Sequence, residues 1–314
     1  MVFRVPPCRR LAMVFLACAV ACSREPDNAE GKVLEVNKAA ATQGIRRSTL
    51  AGATSEGLSG LAVDDTGAYV AIPERQRSVV RFREEGGVFR VEKTVPLTGV
   101  RDGLDTEAIA FLSPGHFAVG TETHHSRRED ALLLIEVNEN EAHVTDEVDL
   151  DYNAWGQRAG INHGIEAMCA ALGSIVVGTE VVVSEKGRRY APIARYDFGT
   201  HAWSYGRLWL TSNAGKISSF ECRARDDNGI QVLAIERHFG VGRIVRFDVP
   251  ADGELQDITA IVALDLLPLV QPLPNFEGIA WTKDGDVLVA TDNSNVIVDK
   301  PTELYVIPKG ALAP

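Results

Sequence analysis

From Gly57 onward, apolar residues come in short runs rich in Val, Ile, Leu and Ala, broken by Gly, Asp, Asn and Pro. The three- and four-residue spacing of an amphipathic helix is scarce. That pattern predicts short strands joined by tight turns and an all-β chain. The runs also repeat. Similar segments begin at Ser59, Glu107, Glu166, Ser219 and Glu277 and extend over 59–75, 107–123, 166–181, 219–237 and 277–293. Most open with Ser or Glu, a small residue, an apolar residue and then Ala or Cys; the fourth reads Ser-Phe-Glu-Cys. Each continues through a turn, an apolar strand and an acidic residue. The openings lie 48, 59, 53 and 58 residues apart, and periods near 50 with several strands each indicate a β-propeller of four-stranded antiparallel blades. The fifth repeat runs out after three strands, so residues 44–50, ahead of the first repeat, are expected to complete its sheet and close the ring. This count favours five blades, with six as the alternative.

In a propeller the first strand of each blade lines the central channel. Equivalent residues at the start of those strands form a ring, here expected to be Ser59, Glu107, Glu166, Ser219 and Glu277. Three carboxylates facing one another are unfavourable unless they are protonated or bridged by a cation. Five oxygen ligands in a ring match the equatorial plane of pentagonal-bipyramidal Ca²⁺, whereas Mg²⁺ demands an octahedron. A second acidic set follows 14 to 17 residues later: Glu74, Glu122, Glu180, Glu236 and Asp292. The midpoint of each pair falls on the turn, so the second set is expected to face the first across the ladder. Arg75 and Arg237 follow the outer acid in the two repeats whose inner residue is Ser, which suggests charge compensation. Outer acids of this kind also commonly bond the backbone of neighbouring blades.

Before the repeats, Arg4, Arg9 and Arg10 precede an apolar stretch over 11–21 that is too short to span a bilayer. The pattern is that of a bacterial export signal over residues 1–21. Its end, Ala19-Val20-Ala21-Cys22, has the form of a lipobox, making Cys22 the expected lipidated first residue of an exported, membrane-anchored lipoprotein. Ser23 after that cysteine favours the outer membrane of a Gram-negative bacterium. Residues 22–43 read as a polar tether and 44–314 as a single propeller domain. Cys169 and Cys222 then fall on inner strands of neighbouring blades, whose backbones are expected to lie too far apart to bridge; buried free thiols follow.

Charge narrows the partners. Lys and Arg number 32 against 43 Asp and Glu, a net charge of −11, with no basic run to hold a nucleic acid. No His or Cys cluster has zinc spacing. Gly57-Leu58-Ser59-Gly60-Leu61 lacks the last glycine of a nucleophile elbow. A monomer is expected, touching the membrane through its lipid anchor only.

With these residues identified, the chain resembles the family called esterase-like activity of phytase. The matching pieces are Leu58-Ser59-Gly60-Leu61, Thr106-Glu107-Ala108-Ile109-Ala110, Gly164-Ile165-Glu166-Ala167, Leu233-Ala234-Ile235-Glu236-Arg237, Asn275-Phe276-Glu277-Gly278 and Thr291-Asp292-Asn293, extending over about 57–295. The Ser, Glu, Glu, Ser, Glu order is also similar to the central calcium ring of five-bladed calcium-activated nucleotidases (apyrases). The resemblance implies a calcium-dependent phosphoric-ester hydrolase, phytase-like or nucleotidase-like. Glu122 or Glu236 would act as general base, and Arg75, Arg237 or His124 would stabilise developing charge. Glu74, Glu180, Asp292 and Asn293 would line the substrate site. The alternative is a non-catalytic envelope propeller that binds a protein or glycan and carries a structural calcium.

Overall fold

The apolar runs fold as strands, and the turns between them close antiparallel hairpins. The computed structural model describes residues 33–34, 39, 42–52, 57–74, 76–123, 131–157, 163–292, 294–295, 298–299 and 301–313. Strands β1 (Val33–Leu34) and β2 (Arg46–Ala51) come first. The first meander contains β3 (Leu58–Val63), β4 (Tyr69–Pro73), β5 (Ser78–Glu85) and β6 (Val88–Thr98). The second contains β7 (Leu104–Ser113), β8 (His116–Thr123), β9 (Ala131–Val137) and β10 (Ala142–Asp149). In the third, β11 (Ile165–Ala171), β12 (Ser174–Thr179), β14 (Arg188–Asp197) and β15 (Ala202–Trp209) pair in that order, with β13 (Val183–Glu185) on β14. In the fourth, β16 (Lys216–Ala224), β17 (Gly229–His238), β18 (Val241–Pro250) and β20 (Ile261–Asp265) pair, while β19 (Asp257–Thr259) adds to β15 in parallel. The last meander runs β21 (Phe276–Trp281), β22 (Val287–Thr291), β25 (Glu303–Ile307), with β23 (Ser294–Asn295) and β24 (Val298–Asp299) as a short side ribbon. Its fourth strand is β2, antiparallel to β25 with Arg46 opposite Val306 and Thr49 opposite Glu303.

Burial falls outward along each sheet. Every residue of β4, β12 and β22 is buried, because both faces of these strands are covered by neighbouring sheets. The outer strands β6 and β10 carry exposed residues through most of their length. Apolar clusters fill the gaps between successive sheets. Val70 and Ile72 meet Ile109 and Leu133; Leu132 meets Ile165 and Val177; Ile193 meets Phe220 and Phe247; Ile235 and Ile244 meet Ile279 and Val289. A further cluster joins Leu288 and Leu304 of the last sheet to Leu61 and Phe82 of the first, closing the ring. The result is a β-propeller. Gly60 shows how tightly the inner strands converge: a Cβ there would lie 2.7 Å from the Ile109 nitrogen.

That convergence corrects one expectation. Cys169 on β11 and Cys222 on β16 form a disulfide, with Cα atoms 5.3 Å apart, inside the normal range for a bridge. Near the axis, neighbouring first strands come as close as strands within a sheet do. Cys169 faces the next sheet and Cys222 faces back, so the thiols meet. The export signal, Cys22, Arg75, His124 and Asn293 lie outside the described residues.

Candidate functional site around the channel mouth

A β-bulge interrupts the first hairpin of every sheet at the same place. The register shifts between Leu58 and Gly60, Thr106 and Ala108, Ile165 and Ala167, Ile217 and Ser219, and Phe276 and Gly278. The extra residues are Ser59, Glu107, Glu166, Ser218 and Glu277. A bulge leaves one residue out of the ladder and re-aims its side chain. All five are at most 9% exposed. In the fourth sheet the bulged residue is Ser218, one position before Ser219. Ser218 donates its hydroxyl to the Phe276 carbonyl at 2.9 Å, and the Ser219 hydroxyl accepts from the Ile279 amide at 3.2 Å.

The bulge also moves the outer set. Glu122 stands opposite Asp105, two places from Glu107. Immediately outside the bulge the second strands present Pro73, Thr121, Thr179, Glu236 and Thr291. One place further are Glu74, Glu122, Glu180, Arg237 and Asp292. So in the fourth sheet Arg237 holds the place that acids hold elsewhere, and Lys216 lies across the ladder from it. The wider spacing of 17 from Ser219 to Glu236, against 14 or 15 elsewhere, was the sequence signal for this slip. Nothing in the repeat pattern pointed to Lys216.

Glu236 has a structural task. Its buried carboxylate accepts hydrogen bonds from the Thr211 and Ser212 amides, each at 3.0 Å, and from both their hydroxyls. Every lone pair is engaged in fixing the loop ahead of β16, which leaves no free lone pair for proton transfer. Glu236→Ala should cost about 3 kcal/mol of stability, because charge-assisted bonds are lost and buried donors are left unmet; equilibrium denaturation reads this directly. Glu122 differs: it is buried beside the ring, and the Gly164 amide approaches it at 3.4 Å.

Charge is divided around the mouth. Toward the first two sheets, oxygens of Glu74, Asp105 and Glu107 come within 4.8 Å of one another. Burial, then Glu166, Glu122, Glu74 and Glu277, hold Glu107 well above the ordinary carboxylate range. Glu166 is pushed up to about 8 by burial, with Glu122 and Glu277 adding and Arg237 and Lys216 opposing. Toward the fourth sheet, Arg237 forms an ion pair with Glu277, and its Nε donates to Glu277 Oε2 at 3.3 Å. Asn275 donates to the same carboxylate at 2.8 Å, and Lys216 pairs with Glu180. Among the described residues Asp105 keeps a buried carboxylate oxygen, Oδ2, without a hydrogen-bond partner beside Glu74 and Glu107. Three carboxylates whose oxygens lie this close, beside a ring of further acids, suit a hard divalent cation, whose bonds to oxygen measure about 2.3–2.6 Å.

A family model described as "Phytase-like: Esterase-like activity of phytase" matches residues 53–295. No curated protein matches the chain. Among solved structures, the PQQ-bound aldose sugar dehydrogenase of Streptomyces coelicolor is 12% identical, with a TM-score of 0.45 over 89% of this chain and 98% of that one. The apo-form soluble aldose sugar dehydrogenase of Escherichia coli is 10% identical, with a TM-score of 0.47 over 88% and 98%.

Proposed function

Because this chain belongs to the phytase-like family, esterase-like activity of phytase, we propose that it is a calcium-dependent phosphoric-ester hydrolase built on five blades. The observation that carries this reading is the ring of buried bulged residues, in which Glu107 lies within reach of Glu74 and Asp105 and Glu166 faces Glu122 and Glu277. Glu107, Glu166 and Glu277 would hold Ca²⁺, with Ser59 completing the ring and either Ser218 or Ser219 on its fourth side. Bound there, calcium would polarise a phosphate oxygen and lower the pKa of a coordinated water. Glu122 would receive the proton of the attacking water, since Glu236 is fully committed to Thr211 and Ser212. Arg237 would orient the anionic ester; Glu74, Arg75, His124, Glu180, Asp292 and Asn293 would surround it. Arg237 already sits at the mouth, beside Glu277. We further place the protein outside the cytoplasm, anchored through lipid on Cys22, a setting in which the Cys169–Cys222 bridge is stable.

The internal pairing of Arg237 with Glu277 and Lys216 with Glu180 favours a second reading. In it calcium is purely structural and the propeller binds an envelope component. One experiment separates the two. Calcium-loaded protein is assayed on phytate, nucleotides, aryl phosphates and carboxylic esters. Turnover that disappears on chelation, and in Glu107→Gln, is the expected result. Turnover no higher than that of Glu107→Gln would retire the hydrolase and leave the binding propeller.

A further inference from the structure

Beside the ring a cleft of 710 Å³ opens between the β17–β18 turn and the segment ahead of β21. Lys216, Arg237 and Asp292 line it together with Phe239, Leu273 and Pro274. Phe239 is 91% exposed, far more than any other large apolar side chain among the described residues. It occupies the tip of a hairpin, where a polar turn residue would cost nothing. Its ring lies 4.8 Å from that of His238, so the two present an aromatic edge to the cleft. Leu273 is held in place. Leu273 packs onto Gly242 so closely that a Cβ there would stand 2.6 Å from a leucine methyl, and the leucine joins the cluster around Leu266 and Phe276.

Two cations, each paired with an acid of the ring region, and an exposed aromatic ring lining one cleft suit a ligand that is anionic at one end and flat and apolar at the other, its anion sharing Lys216 and Arg237 with Glu180 and Glu277. We propose that this cleft is the leaving-group subsite of the hydrolase, that it selects phosphate monoesters of aromatic alcohols, and that Phe239 and Lys216 are its specificity-determining residues. This inference rests on the phosphoric-ester reading above. Phe239 stacks on the leaving group's ring, while Lys216 and Arg237 face the phosphate as it lies against the ring of acids. Stacking of one aromatic pair is worth about three- to tenfold in affinity.

The test is titration calorimetry of the calcium-loaded protein with phenyl phosphate and with methyl phosphate, alongside a hydrolysis assay of both. Phenyl phosphate should bind several-fold more tightly. Phe239→Ala should abolish that preference and leave methyl phosphate binding within twofold, because the side chain stands at an exposed turn and supports no packing. Lys216→Met should weaken both esters by a similar factor, with the melting curve as a check on folding. An equal effect of Phe239→Ala on both esters, or no effect on either, overturns the subsite; so does the absence of binding by either ester. Phe239-dependent binding of phenyl phosphate with no hydrolysis leaves the subsite standing and removes the hydrolase.

Discussion

Titrated from pH 5 to pH 9 in the presence of a chelator, the protein should melt at progressively lower temperature. An unfolded glutamate ionises near pH 4.3, while burial holds Glu166 protonated to about 8 in the folded chain. Between those values unfolding releases a proton that the native state retains. The contribution of this group is therefore intact below about pH 4 and is lost as pH rises through about 8. At 1.36 kcal/mol per unit, the loss from Glu166 alone is on the order of 5 kcal/mol. Glu107 and Glu277 are raised as well and add to the same slope. Calcium should flatten the profile, because a bound cation makes the ionised carboxylates the favoured form. At a hundredfold excess over its dissociation constant it adds about 2.7 kcal/mol, and magnesium should add less. A residual slope should persist with calcium from Glu221, which burial likewise pushes up to about 8, while the Trp281 and Cys222 amides oppose the shift. A flat profile in chelator, or the same slope with and without calcium, would remove the metal from the ring.

The second large effect concerns the bridge between β11 and β16. Cys169→Ala with Cys222→Ala should lower stability by about 4 kcal/mol, the value the chain-entropy relation assigns to a cross-link spanning 53 residues. Reductant should reproduce most of that loss in the wild type and none in the double variant. Urea unfolding with and without reductant measures both. Equal midpoints for all four samples would show that the two thiols are free in solution.

Much of this architecture was legible in the chain because it is periodic. The repeat predicted the meanders, and the missing strand of the last repeat pointed to residues 44–50, of which Arg46–Thr49 pair with Glu303–Val306. Glu107, Glu166 and Glu277 open their repeats in register and stand at equivalent bulges. What the pattern missed is what a linear alignment cannot register. A bulge adds a residue to one strand only, so matching Ser219 to the other openings slid the fourth repeat by one place. That slip hid Ser218, misassigned Glu236 to the acid ring and left Arg237 looking like a companion to an acid when it occupies the acid's own place. Lys216 escaped because its importance comes from a neighbour across the ladder, not from the repeat. The disulfide escaped because inter-sheet distances depend on how far from the axis a residue lies, and at Cys169 and Cys222 that distance is short.

The sheet shared by β2 and β25 has a consequence for how the molecule is made. Arg47 and Glu303, ion-paired across that seam, are 256 residues apart in sequence. Synthesis runs from the amino end, so β2 emerges long before its antiparallel partner β25. The first four meanders are each local in sequence and can form as they emerge, and β21 and β22 can already pack on the first sheet, but the shared sheet stays open until β25 arrives. Long-range closure of this sort slows folding, and an unpaired strand edge waits exposed in the meantime. Refolding should therefore show a late phase in which this seam forms, and a segment competing for the free edge of β25 would trap the chain as an open arc.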